Sequence, residues 1–89
     1  MRFEWDGDKA AENLREHSVS FDEAATVFFD PLSMTVPDPD HSVGERRFIT
    51  MGGSSSGRVL VVTHTERGST IRIISARSAS ASERKRYET

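Results

Sequence analysis

With 89 residues and no cysteine, the chain has room for one modest core and no thiol chemistry, so disulfides and thiolate metal sites are excluded. Its net charge of −2 hides a split: residues 1–45 carry three basic groups against eleven acids, a net −8, and residues 46–89 carry nine against three, a net +6. Such a split points to a local anion-binding half rather than a uniformly basic binder, and ten of the twelve basic residues are arginine, whose planar fork grips phosphate with two hydrogen bonds.

The charged opening MRFEWDGDKA lacks the apolar run of a signal peptide. The longest apolar stretch, Val59 to Val62, is too short to span a bilayer. The expectation is one domain over residues 1–89, cytoplasmic and without membrane contact.

Phe3-Glu4-Trp5 alternates as a short strand does. Asp6 then caps a helix through about His17, with Ala10, Leu14 and His17 facing in and Lys9, Glu12, Asn13 and Glu16 facing out. Ser20-x-x-Glu23 is a capping box that opens a second helix, with Phe21, Ala24, Ala25 and Phe28 on one face and a stop at Asp30-Pro31. The period then changes to two. Residues 32–36 read as a strand ending at Pro37, DPDHSVG as a solvated connection, and residues 46–52 as the next strand. A flexible Gly52–Gly57 loop leads to two β-branched strands, residues 58–66 and 69–77, joined at Arg67-Gly68 and expected to pair antiparallel. Ser80-x-x-Glu83 starts a short basic helix through Tyr87. The order β-α-α-β-β-β-β-α predicts an α+β fold. Its helices cover one face of an about four-stranded antiparallel sheet, and the first short strand is added at an edge.

Asp38, Asp40 and His41 invite a metal reading, but zinc needs three or four ligands and hard cations a cage of oxygens. Two acids split by a proline, with no second histidine nearby, read as a turn, so no metal site is expected. His17, His41 and His64 titrate near neutrality when unperturbed; a helix-end role for His17 and a packed polar role for His64 weigh against either as a base. The arginines carry more signal. Arg47, Arg58, Arg67, Arg72 and Arg77 sit on or beside successive strands, where antiparallel pairing brings them within reach across one face. Only Glu66 interrupts the series, which favours an anion-binding face over a mixed, water-facing one. An exposed Trp5 or Tyr87 could stack on a base, although core burial is the expected fate of Trp5.

Three stretches in this order, FEWDGDKAAENLREHSVSFDEAATVF, DPDHSVGERR and TERG…IRIISARSASASERKRYE, resemble the BrnT family of type II toxins over nearly the whole chain. The resemblance implies a RelE-like fold and a ribonuclease toxin that inhibits translation and growth. It also implies a BrnA-like ribbon-helix-helix antitoxin, operator DNA bound only indirectly through that antitoxin, and no cofactor. Carried over by motif, the catalytic candidates are Arg47 in GERR, Arg67 in TERG and Arg77 in ISAR, with His41 and Glu45 from the same matched segment. Arg58, Arg72 and Arg84 are the further RNA-binding candidates. Family members often carry lysine where this chain has Glu16, and an arginine where it has Ser78; both departures remove positive charge. The implied chemistry is metal-independent: the RNA 2′-hydroxyl attacks the adjacent phosphate while arginines stabilise the charge that develops. The residues alone leave open a non-cleaving RNA- or ribosome-binding protein, or a degenerate toxin acting mainly as partner to a DNA-binding antitoxin.

Overall fold

The computed structural model of the chain describes residues 1–39 and 44–88. Its elements are β1 (Arg2–Glu4), α1 (Gly7–His17), α2 (Phe21–Thr26) running into a 3-10 turn (Val27–Phe29), β2 (Met34–Pro37), β3 (Arg47–Gly53), β4 (Val59–Arg67), β5 (Thr70–Ser78) and α3 (Ala81–Glu88). The predicted α+β class and element order hold; the sheet differs. It has five strands in the order β1-β5-β4-β3-β2, and β1 runs parallel to β5 while every other pairing is antiparallel. Three residues of alternating pattern reveal a strand but carry no information on its partner or direction.

Local chemistry starts and stops the elements. Asp6 accepts the Asp8 N–H at the start of α1, and Ser18 ends that helix in the left-handed conformation. Ser20 caps α2 through the Glu23 N–H. At α3 the capping box is reciprocal: Ser80 Oγ accepts from the Glu83 N–H, and the Glu83 carboxylate accepts from the Ser80 N–H. The β4–β5 hairpin turns at Gly68, whose φ of +61° suits glycine in a two-residue turn. Gly52 is required for a different reason. A Cβ there would stand 2.8 Å from the Ser33 Cβ and 2.9 Å from the Val27 Cγ1, so β3 could not approach the 3-10 turn.

The core lies between α1, α2 and one face of the sheet, built from Val19, Phe21, Ala24, Val27, Leu60, Val62, Ile71, Ile73 and Ala76. Burying side chains such as Phe21, Leu60 and Ile73 stabilises by roughly 1.5–3 kcal/mol each. Ile73 and Ala76 are three residues apart, so strict alternation would point them to opposite faces. The register supplies the missing step. Thr63 pairs with Ser75 but His64 pairs with Ile73, leaving Ile74 as a bulge.

The helix faces also correct the expectation. Asn13 is buried and Leu14 exposed. Asn13 Nδ2 donates to the Ala76 and Val19 carbonyls, and its Oδ1 accepts the Ala76 N–H. Beyond Arg72 the outer edge of β5 has no strand beside it, and the Asn13 amide satisfies that edge as a strand would. The expectation that all helices share one face holds only for α1 and α2. α3 lies over the opposite face, where Glu83 and Arg86 line a groove with Met34, Val36, Ile49, Met51 and Val61.

Candidate functional site

The face away from α1 and α2 is covered only in part, by α3, although Val61 and Thr65 on it are buried. Read through the register, its side chains form rows across the strands. One row is Arg47 on β3, Thr65 on β4, Arg72 on β5 and Glu4 on β1. Toward the β4–β5 turn, Arg67 sits opposite Thr70, which pairs with Arg2. In the other direction come Val36, Ile49, Thr63 and Ser75, and then Met34, Met51, Val61 and Arg77. Arg72 and Arg77 are five residues apart, and the Ile74 bulge is what brings both onto this face.

Each of these arginines on β4 and β5 is held by a glutamate. Arg67 donates from Nε and Nη2 to one oxygen of Glu45, at 3.0 and 2.7 Å. Arg72 Nη1 donates to Glu4 at 2.7 Å. Arg77 grips Glu83 end-on, at 2.7 and 2.9 Å. The acids come mostly from the N-terminal half, so the charge split along the chain becomes ion pairing in space. Hydrogen bonds from Arg67 hold the Glu45 carboxyl below the usual carboxylate range, opposed by desolvation and helped by the nearby Thr65 hydroxyl and the charges of Arg67 and Arg72. The Arg77 fork, aided by the Ser80 N–H, lowers Glu83 to about 2, and Glu83 in turn raises Arg77. Arg47 forms no ion pair among the described residues. The neighbouring Arg46 guanidinium lies 5.4 Å from the centre of the Phe48 ring.

The candidates therefore separate. Arg47, Arg67, Arg72 and Glu45 gather at one end of the open face. Arg77 stands at the other end, beside α3 and its exposed Arg84. Arg58 is elsewhere: it clamps Glu23 of α2 and donates to the Ser18 carbonyl at 2.9 Å, tying the helices to the β3–β4 hairpin. That clamp, with Ser54 and Ser56, lowers Glu23 to about 2. His41 and Asp40 lie outside the described residues. Asp38 is buried rather than solvated, its N–H bonded to the Arg47 carbonyl at 2.9 Å. No three metal-type side chains converge among the described residues.

His64 faces the helices. It is fully buried, edge-on to Phe28 and stacked on Phe48, with Nε2 2.7 Å from the Thr50 hydroxyl, which meets Thr35 at 2.7 Å. Burial pushes its pKa down. His17 is exposed at the end of α1, off this face. Trp5 packs edge-on against Phe21 in the core, and the Tyr87 hydroxyl is bonded to Asp30. The sequence reading missed Glu4, Thr65 and Asp30 as partners. Glu4 was legible only by knowing that β1 pairs with β5.

No helix among the described residues is long and apolar enough to cross a membrane. Among solved structures, the chain is similar to the ribonuclease toxin BrnT of Brucella abortus, with a TM-score of 0.71 and 23% identity over 90% of this chain and 97% of that one. A comparison with curated proteins returns no match. Residues 5–83 match the family described as the ribonuclease toxin, BrnT, of type II toxin-antitoxin systems. A match over that much of the sequence settles membership: the chain belongs to the BrnT family of ribonuclease toxins, whose type II systems pair each toxin with an antitoxin.

Proposed function

We propose that the chain cleaves RNA without a metal ion, at the end of the open face where Arg47, Arg67, Arg72 and Glu45 converge. The supporting observation is the row Arg47–Thr65–Arg72 with the Arg67–Glu45 pair beside it. Facing pairs on adjacent strands stand about 4.5–5.5 Å apart, so one phosphate lying between Arg47 and Arg72, above the buried Thr65, meets guanidinium groups from both sides. The exposed glutamate pairs orient these arginines at little cost, since exposed ion pairs are weak and yield to a better anion. Glu45 leaves the second terminal nitrogen of Arg67 free of this pair.

In this reading the RNA 2′-hydroxyl attacks its own 3′-phosphate in line. The P–O5′ bond breaks, and the products are a 2′,3′-cyclic phosphate and a 5′-hydroxyl. Arginine donors stabilise the charge growing on the phosphoryl oxygens. Glu45 is ionised at neutral pH and, in this reading, takes the 2′ proton. Its lowered pKa makes it a weak base, and at neutral pH it holds no proton to donate; the proton for the leaving oxygen is assigned to His41, the other candidate of the same matched segment. Arg77 and Arg84 extend the contact along the RNA, and Arg58, committed to Glu23, takes no part. Cleavage of this kind blocks translation and growth in the cytoplasm until a BrnA-like ribbon-helix-helix antitoxin neutralises the toxin. Operator DNA is then bound through the antitoxin. Residues 1–89 act as one toxin domain.

The test is cleavage of a defined RNA by Arg47→Ala and Arg72→Ala. Loss of one such donor costs about 10²–10³ in rate at comparable oxyanion sites. Folded variants that cut at the wild-type rate would remove the row from the mechanism, and wild-type protein that protects RNA without cutting it would make the chain a binder.

A further inference from the structure

We propose that the apolar groove beside α3 is the seat of the antitoxin, and that it receives an amphipathic helix with two large apolar side chains and an acidic flank. This rests on family membership, which supplies a protein partner, and not on the cleavage mechanism.

The groove encloses about 340 Å³, lined by Met34, Val36, Ile49, Met51 and Val61, with Glu83 and Arg86 along one side. A cavity of roughly 150 Å³ holds benzene, so this one accepts two ring-sized or leucine-sized side chains. Met34 and Val36 are 45% and 54% exposed, although strand residues on a packed sheet normally bury their apolar face. The lining is aliphatic and carries no aromatic ring on which a base could stack, which favours a protein over RNA.

A helix fits better than an added strand. The Asp38 N–H bonds back to the Arg47 carbonyl, so the pairs Asp38–Arg47, Val36–Ile49 and Met34–Met51 are the hydrogen-bonded ones, and their groups point into the sheet. The outward groups of β2 belong to Thr35 and Pro37, and proline has no N–H. A single donor is a poor template for strand addition. Side-chain docking into the groove remains, the mode of a helix laid in a cleft. α3 carries Arg84, Lys85 and Arg86, so the complementary flank is acidic. Inhibition follows from size. A helix is about 10–12 Å across, and the groove rows lie within about 13 Å of the Arg47 row at 3.3–3.4 Å per residue. A helix seated there covers Arg77 and overhangs the arginine row, excluding RNA.

The three methionines are Met1, Met34 and Met51, and two of them line the groove. With methyl-labelled methionine, addition of the cognate antitoxin should shift Met34 and Met51 and leave Met1 in place, while a dinucleotide, which reaches only the Arg47 row and not Arg77, should move neither groove resonance. Val36→Asp and Met34→Asp alter exposed side chains. Each should weaken antitoxin binding by roughly thirtyfold or more, the scale of an interface hot spot, with RNA cleavage unchanged. Unmoved methionines on antitoxin binding, or unaltered antitoxin affinity in both variants, would overturn the proposal. So would variants that lose cleavage but keep the antitoxin, which would make the groove an RNA subsite. A wild-type dimer that Val36→Asp dissociates without touching antitoxin affinity would assign the groove to a second copy. Failure of the cleavage mechanism reads out separately, as loss-free cleavage in Arg72→Ala.

Discussion

Arginines clamped by glutamates behave differently from a bare basic patch. Arg67 presents a guanidinium already oriented by Glu45, and lysine cannot reproduce a side-on contact through Nε and Nη2. Arg67→Ala should lower RNA cleavage by about 10²–10³, Arg67→Lys should recover only part of it, and both should melt close to wild type because exposed pairs stabilise little. Rates that rise fully to wild type with lysine would mean that charge alone matters. Asn13 makes the opposite prediction. Each buried group left without a partner costs about 1–3 kcal/mol, and about 1 kcal/mol shifts the melting temperature of a domain this size by roughly 4–8 °C. Asn13→Ala should therefore melt clearly lower, while Leu14→Ala, half exposed, should not. A helical wheel points Leu14 inward because it scores apolarity. It is blind to an amide needed by the open edge of β5.

At the level of elements, Glu83 on Arg77 and Tyr87 on Asp30 are contacts that tie α3 to the rest of the fold. Asp30 also accepts the Gly53 N–H at 2.7 Å, so it joins α3 to β3. The Tyr87 bond, followed by the Gly53 and Leu32 N–H groups, lowers the Asp30 pKa, and Asp30 raises that of Tyr87. Tyr87→Phe should accelerate amide exchange throughout α3 while leaving β4 and β5 protected; uniform exchange rates in the two proteins would show that the tether is idle. The α3 capping box, the Ser20 cap of α2, the stop at Asp30-Pro31 and the central hairpin were legible in the sequence because each is a local rule. The pairing of β1, the Ile74 bulge and the crossing of α3 to the open face were not, since each depends on residues distant in the chain. The bulge matters most for the site. Alternation alone puts Arg72 and Arg77 on opposite faces, and one unpaired residue reverses that.

Across the whole molecule, the −8 and +6 halves fold onto each other as ion pairs, so acid should loosen it. Glu23 and Glu83 fall to about 2 in the folded state from an ordinary 4.5. The unfolded chain takes up protons first, so the stability they contribute is complete above about pH 5 and is lost as pH falls toward 2. His64 adds an earlier step. Its pKa is lowered by burial, so stability also declines as pH drops below about 6.5, where the unfolded histidine is charged and the buried one is not. Melting temperature should fall in two stages, and Glu23→Gln should flatten the lower one; an unchanged lower stage would show that Glu23 is not its source. The central claim is metal-free RNA cleavage at the arginine row, and its most direct measurement is product analysis with the purified chain in excess chelator. The account predicts fragments ending in 2′,3′-cyclic phosphate and 5′-hydroxyl, formed at the same rate with and without EDTA and abolished with Arg47→Ala and Arg72→Ala together. Cleavage that stops in EDTA, returns with a divalent ion and leaves 3′-hydroxyl ends would contradict it.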